Sequence, residues 1–154
     1  MSLREHAEII WRAGVDAVDS ASAVRRQITC EGKNLCIAGV NIPLSESRRF
    51  EIVGAGKAGA GMAVGVEEAL LRYVPTSQLQ GWVNVPADCV RELQQIHLHA
   101  ARPPGINEPT EQSVAGTNEI LRRIRALRQS DVCLVLLSGG ASALLCSPVP
   151  QISL

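Results

Sequence analysis

Residues 50–71 constrain this chain more than any other stretch. Phe50-Glu51-Ile52-Val53 is short and apolar, Gly54-Ala55-Gly56-Lys57-Ala58-Gly59-Ala60-Gly61 follows, and an Ala- and Val-rich segment continues to Leu71. A strand, a glycine turn and a helix in that order are the beginning of a βαβ unit, and such units build parallel sheets. Glycines let a backbone approach a ligand closely, and a helix start presents N–H groups that have no intrahelical acceptor. Lys57 sets one mobile positive charge beside them. The combination suits a small molecule bearing a phosphate or a carboxylate.

The rest of the chain alternates in the same way. Asp131 to Leu137 is a continuous apolar run, the pattern of a strand buried on both faces, and it ends in Ser138-Gly139-Gly140-Ala141-Ser142 ahead of another helix. Between the two glycine turns, Leu79 to Val85 and Ile96 to Ala100 read as strands, and residues 86–94 as loop or short helix. Pro109 suits a first helical position, and the spacing predicts a helix from there to about Arg128. Val114, Ile120, Leu121, Ile124 and Leu127 face inward on it, and Arg122, Arg123, Arg125 and Arg128 form a solvated face. Upstream, Ser2-x-x-Glu5 is a capping box, and Leu3, Ala7, Ile10, Gly14, Val18 and Ala21 share one face of a helix over residues 3–27. Glu31-Gly32-Lys33-Asn34 breaks it, and Leu35 to Ile42 reads as a strand. The expected architecture is α/β: a Rossmann-like layered fold with a mostly parallel sheet flanked by helices. At 154 residues this is one domain by length, and both glycine turns fall at the carboxyl ends of strands, where such sheets hold ligands.

Composition narrows the partners. The formal net charge is zero, so no electrostatic footprint for nucleic acid or an anionic membrane is present. The five cysteines show no CxxC or Cys/His metal spacing, and read as reduced, mostly buried thiols of a cytoplasmic protein. No apolar run reaches membrane-spanning length.

Each motif carries more than one reading. Gly54-x-Gly56-x-x-Gly59 matches the dinucleotide fingerprint in the right context, but the next strand ends Val83-Asn84-Val85-Pro86, without the acid that would hold a ribose. A Walker loop fails on spacing, with Glu51 where its first glycine belongs and Ala58 where the Mg²⁺-binding hydroxyl belongs. A turn with no ligand has no need of Lys57. Ser138 to Ser142 can form an anion-binding nest, and misses the nucleophile-elbow pattern because Leu144 stands where the closing glycine would be. His97 and His99 share one strand face without an apparent third metal ligand. Arg102, Asn107 and Glu108 sit in a Pro-rich loop from which polar groups can reach a ligand at the sheet edge.

With both turns in place the sequence resembles the class II glycerate kinases, the family whose C-terminal half is called the MOFRL domain. The resemblance rests on Val53-Gly54-Ala55-Gly56-Lys57-Ala58 with Met62-Ala63, on Leu136-Leu137-Ser138-Gly139-Gly140-Ala141-Ser142-Ala143-Leu144-Leu145, and on Pro148 with Ile152-Ser153-Leu154. It implies ATP-dependent phosphorylation of D-glycerate, usually at the 2-hydroxyl, with Mg²⁺. By the same resemblance Lys57 is the catalytic lysine, and Gly54, Gly56, Ser138, Gly139, Gly140 and Ser142 hold substrate or phosphate. The family's H-P-x-P-[DE] stretch is here Arg102-Pro103-Pro104-Gly105-Ile106-Asn107-Glu108, so Arg102 stands where the family has histidine. Members run to more than twice this length and form their site between two domains. The expectation is therefore a partial amino-terminal α/β domain over residues 1–154, with the MOFRL domain absent and little activity alone. D-glycerate and ATP are its expected small-molecule partners, with a homodimer left open. A dinucleotide-dependent oxidoreductase domain and a non-catalytic anion-binding domain are the alternatives.

Overall fold

A computed structural model describes residues 1–149, 151 and 154. The chain opens with α1 (Leu3–Ala17) and α2 (Ser20–Arg25), then an antiparallel meander of β1 (Ile28–Glu31), β2 (Asn34–Ile37) and β3 (Val40–Pro43). There follow β4 (Phe50–Ala55), α3 (Gly59–Leu70), β5 (Leu79–Pro86), β6 (Ile96–Arg102), α4 (Glu111–Arg125) and β7 (Val132–Leu137). The last four strands make one parallel sheet in the order β6-β5-β4-β7. The α/β architecture expected from the sequence is the one observed, with a small antiparallel sheet added ahead of it.

The connections locate the switch point. β4, β5 and β6 step outward in one direction, and the connection through α4 then returns the chain to the other side of β4. Right-handed crossovers running in opposite directions put α3 and α4 on opposite faces of the sheet. The turns after β4 and β7 therefore leave adjacent strands toward different faces, which opens a crevice between them.

The α3 face carries the main core. Phe50, Ile52, Val83, Val85, Ile96 and Leu98 from the sheet meet Ala63, Val66 and Leu70 from α3, and the meander adds Ile28, Leu35, Ile37 and Ile42. Aliphatic side chains supply nearly all of it. α2 packs on α3 where Gly65 leaves room, since a Cβ there would collide with the backbone of Ala21. Gly61 faces Ser20 in the same seam, so it is a packing position on α3 and not part of the ligand turn.

Several expectations need correction. The helix over residues 3–27 is two helices, because the Asp19 side chain accepts the Ser22 N–H at 2.8 Å and starts α2 afresh. The capping box is present, but α1 buries no residue, and Leu3, Ile10 and Trp11 are exposed. The segment 35–42 is two strands joined at Ala38-Gly39, both with positive φ, and β1 pairs with β2 across the Gly32-Lys33 turn. α4 begins after Thr110, whose side chain accepts the Ser113 N–H, so Pro109 precedes the cap; the helix ends at Arg125.

β7 is an edge strand, not one buried on both faces. Leu136 is buried, whereas Val135 and Leu137 are 57% and 56% exposed. The arginines of α4 are not a uniform solvated face either. Arg123 reaches the buried Glu51 carboxylate at 3.0 Å and Glu119 at 2.8 Å. Arg128, just past the helix, clamps Asp131 at 3.0 Å. The five cysteines are unpaired but half-buried instead of buried. No helix among the described residues is long and apolar enough to cross a membrane. Of the expected closing loop, Pro150, Ile152 and Ser153 lie outside the described residues.

Candidate active site

The two glycine turns interlock. The Lys57 N–H donates to the Gly139 carbonyl at 2.9 Å, and the Ala58 N–H donates to Ser138 Oγ at 3.0 Å. The Gly56 N–H donates to the Asn84 carbonyl at 3.2 Å, and the Ser138 N–H to the Ala55 carbonyl at 3.3 Å. Gly56 has φ of 142°, a region L side chains rarely adopt, and any Cβ there would overlap Ser138 Oγ. The start of α3 is thus capped by the second turn. The N–H groups of Lys57, Ala58 and Gly59 are taken by Gly139, Ser138 and Gly56 respectively, not left open for a ligand as the sequence suggested. That weakens the dinucleotide reading, in which those amides would meet a pyrophosphate.

Among the described residues the Ala60 and Gly61 N–H groups of α3 also have no protein acceptor, and further unfilled donors lie on the second turn. Among the described residues the Gly139 and Gly140 N–H groups have no protein acceptor. Gly140, at φ of 85°, sits under two cations: a Cβ there would lie 3.3 Å from Lys57 Cε and 3.5 Å from Arg102 Nη2. Ala141 to Ala143 form a single 3₁₀ turn in place of the expected helix, and Ser142 is exposed. Gly54 lies inside β4, buried, where a Cβ would overlap the Leu136 carbonyl of β7; the structure gives it a packing reason.

Arg102 is the last residue of β6 and is 4% exposed. Its Nη1 donates to Asn107 Oδ1 at 2.6 Å, while Nε is buried with no partner. It makes no ion pair among the described residues, and neither does Lys57. A buried guanidinium is ordinarily matched by a carboxylate, because desolvating an unpaired charge costs several kcal/mol, on the order of the whole stability of a small domain. The exposed Lys57 and the buried Arg102 flank one glycine, and an anion between them would relieve the repulsion of the two like charges.

Asn84, fully buried on β5, was given no role by sequence reasoning. Its Nδ2 donates to the Leu144 carbonyl at 2.8 Å, its Oδ1 accepts from Trp82 Nε1 at 3.0 Å, and its own carbonyl accepts from Gly56. One residue therefore joins both segments to the sheet, the first turn through its backbone carbonyl and the segment after β7 through its side chain. Its strand-end position flagged it only as the place where a ribose acid was missing. Cys89 lies alongside, its Sγ 4.0 Å from the Lys57 carbonyl; burial, and then Asp88, push its thiol pKa up.

His97 and His99 do share a face, with the Trp82 ring 4.2 and 5.1 Å from theirs, and His99 Nε2 bonds the Gln112 carbonyl at 2.9 Å. Burial, then His99, lowers the His97 pKa. Among the described residues no three His, Cys, Asp or Glu side chains converge. The two turns themselves carry no carboxylate, so the residues that line them do not fit a Mg²⁺ site.

Residues 6–154 match the family model described as a domain of unknown function, DUF4147. A glycerate kinase of Rattus norvegicus is 30% identical over 100% of this chain and 31% of its own length. A putative hydroxypyruvate reductase of Agrobacterium vitis is 32% identical over 74% of this chain and 24% of its own. A crystal structure of a Pyrococcus horikoshii protein superposes with a TM-score of 0.79 at 26% identity, over 99% of this chain and 33% of that one. The chain spans about a third of the length of the relatives it matches. It belongs to the DUF4147 family, the amino-terminal domain family of the glycerate kinases that its two glycine turns resemble.

Proposed function

We propose that this chain forms one wall of a glycerate-kinase site that transfers the γ-phosphoryl group of ATP to the 2-hydroxyl of D-glycerate. The observation that carries the reading is the convergence of Lys57 and Arg102 on Gly140, at the switch point of the sheet, with no carboxylate to neutralise them. In the reaction the substrate hydroxyl oxygen attacks the γ-phosphorus, the bond to the β-phosphate oxygen breaks, ADP leaves and the hydroxyl proton is lost. Phosphoryl transfer asks a protein for positioning and charge neutralisation more than for covalent chemistry. Lys57 meets the glycerate carboxylate or the migrating phosphoryl group, and Gly139 and Gly140 N–H groups donate beside it. Gly56 and Ser138 hold the two turns in register, and Ser142 adds an exposed hydroxyl. Mg²⁺ accompanies ATP in this reading, and the two turns supply no carboxylate ligand for it.

Loss of one charged donor aimed at the transferring group costs about 3 kcal/mol, roughly a hundredfold in rate. Replacing the equivalent of Lys57 by Ala in a full-length relative lowers turnover by about that factor; near-normal turnover would remove the proposal. The 154-residue chain alone makes little or no phosphoglycerate, since it spans a third of its relatives and supplies one wall of the cleft. We place the reaction in the cytoplasm, with nucleic acid and membranes outside it.

A second reading, a dinucleotide-dependent oxidoreductase, is favoured by the name of the Agrobacterium vitis relative and by the glycine fingerprint. NADH fluorescence decides it: enhancement on adding the chain supports the oxidoreductase, and none supports the kinase. Hydroxypyruvate and glycerate are the same three-carbon skeleton at two oxidation levels. Both readings therefore call for a carboxylate on the substrate.

A further inference from the structure

The two cations of the site are built differently, and we infer that they divide the substrate between them: Arg102, fixed by Asn107, receives the carboxylate of the hydroxy acid, and Lys57 receives the phosphoryl group. The inference rests on the kinase reading and assigns the parts of its substrate. Arg102 is buried at the end of a strand, and its guanidinium is anchored by one 2.6 Å hydrogen bond to Asn107. Nε is sealed from solvent without a partner, and Nη2 lies over Gly140, 3.5 Å from where a Cβ there would sit, as a donor for a ligand. The free Gly139 and Gly140 N–H groups lie on the same turn. A rigid cation beside backbone amides suits a group that must stay still during the reaction, and a carboxylate not taking part in bond making is such a group.

Lys57 has the opposite construction. It is exposed, its backbone is held by Gly139, and its side chain carries the charge on a flexible stem that ends near the same point. A mobile ammonium can follow a phosphoryl group as it moves between oxygens, and a buried guanidinium cannot. Asp88 lies beside Cys89, whose Sγ is 4.0 Å from the Lys57 carbonyl. It is exposed and forms an ion pair with neither cation. Asn107 is a positioning residue: it touches Arg102 and no reacting atom, and it fixes which guanidinium nitrogen faces the crevice.

The test is a titration of the ¹⁵N-labelled 154-residue chain with D-glycerate, with glycerol and with inorganic phosphate, followed by amide shifts. D-glycerate is expected to shift the Gly139 and Gly140 amides at millimolar concentration, and glycerol, which keeps hydroxyls but lacks the carboxylate, to leave them in place. Arg102→Lys weakens D-glycerate by about tenfold and phosphate less, whereas Lys57→Ala does the reverse. Asn107→Ala leaves Arg102 in place but unpinned, and lowers the preference for D-glycerate over phosphate by about threefold, a ratio that a merely structural loss would not move. Equal weakening of both ligands by both cation variants overturns the division, as does equal binding of glycerol. Phosphate shifts without any D-glycerate shifts would end the carboxylate assignment and leave the kinase reading standing. No shifts with either ligand would end both.

Discussion

At the residue scale, Asn84 shows how much of the site depends on groups that touch no ligand. Its amide satisfies the Leu144 carbonyl, and its backbone carbonyl satisfies Gly56, so it couples the turn after β4 to the segment after β7. Asn84→Leu keeps the volume and deletes the donor, leaving the Leu144 carbonyl and the Trp82 indole N–H inside the protein without partners. A cost of about 2–4 kcal/mol is expected, read from urea unfolding, as the segment around Leu144 loses its anchor to β5. Loss below about 0.5 kcal/mol would show that the clamp is dispensable. Sequence reading passed over Asn84 because a buried amide has no periodic signature; only its neighbours in space reveal its partners. Lys57 and Gly140 were legible for a different reason, and Arg102 through its place beside a Pro-rich loop and the family resemblance. Glycine pairs at a strand end and a lysine among them are incompatible with an ordinary turn, and that incompatibility is visible in one dimension.

At the element scale, β7 is attached to the sheet by charge at its first residues. Asp131 accepts from the Arg49 N–H at 3.2 Å and from the Arg128 guanidinium at 3.0 Å, while the Val132 N–H donates to the Arg49 carbonyl at 2.9 Å. The Arg128 side chain first, and the Arg128 N–H next, hold the Asp131 carboxyl well below its usual range. On α4, hydrogen bonding by Arg122 and then by Arg123 lowers Glu119 from 4.5 to about 2. Both are depressed carboxylates, so their stabilisation is complete above the unfolded pKa and is lost as protons bind the folded form. Stability is therefore expected to fall from about pH 4.5 downward and to keep falling toward pH 2. Asp131→Asn flattens that decline in urea midpoints measured from pH 6 to pH 2.5; an unchanged slope would contradict the assignment. These pairs were invisible in the sequence, where the arginines of residues 122–128 looked like one solvated face. Arg123 is set apart only because α4 lies over β4, where the chain has placed a buried Glu51.

At the scale of the whole molecule, the strands of the parallel sheet and the position of both glycine turns were legible, and the antiparallel meander and the surroundings of β7 were not. Apolar runs and turn residues are local, and they specify a parallel sheet through the rule that short apolar strands alternate with amphipathic helices. Whether the last run lies at an edge depends on what packs against it, which is not local; Val135 and Leu137 read as core and stand exposed. The same holds for α1, whose apolar stripe is well formed and covers nothing. What the fold does deliver is the crevice between β4 and β7, with three segments from different parts of the chain meeting at Gly140. Titration with inorganic phosphate examines that convergence most directly. The amides of Gly56 to Ala58 and of Ser138 to Gly140 should shift together with one dissociation constant, and Gly140→Ala, which places a methyl group against Lys57 and Arg102, should abolish both sets of shifts. Two unrelated constants for the two turns, or undiminished binding by Gly140→Ala, would show that they do not form a single anion site.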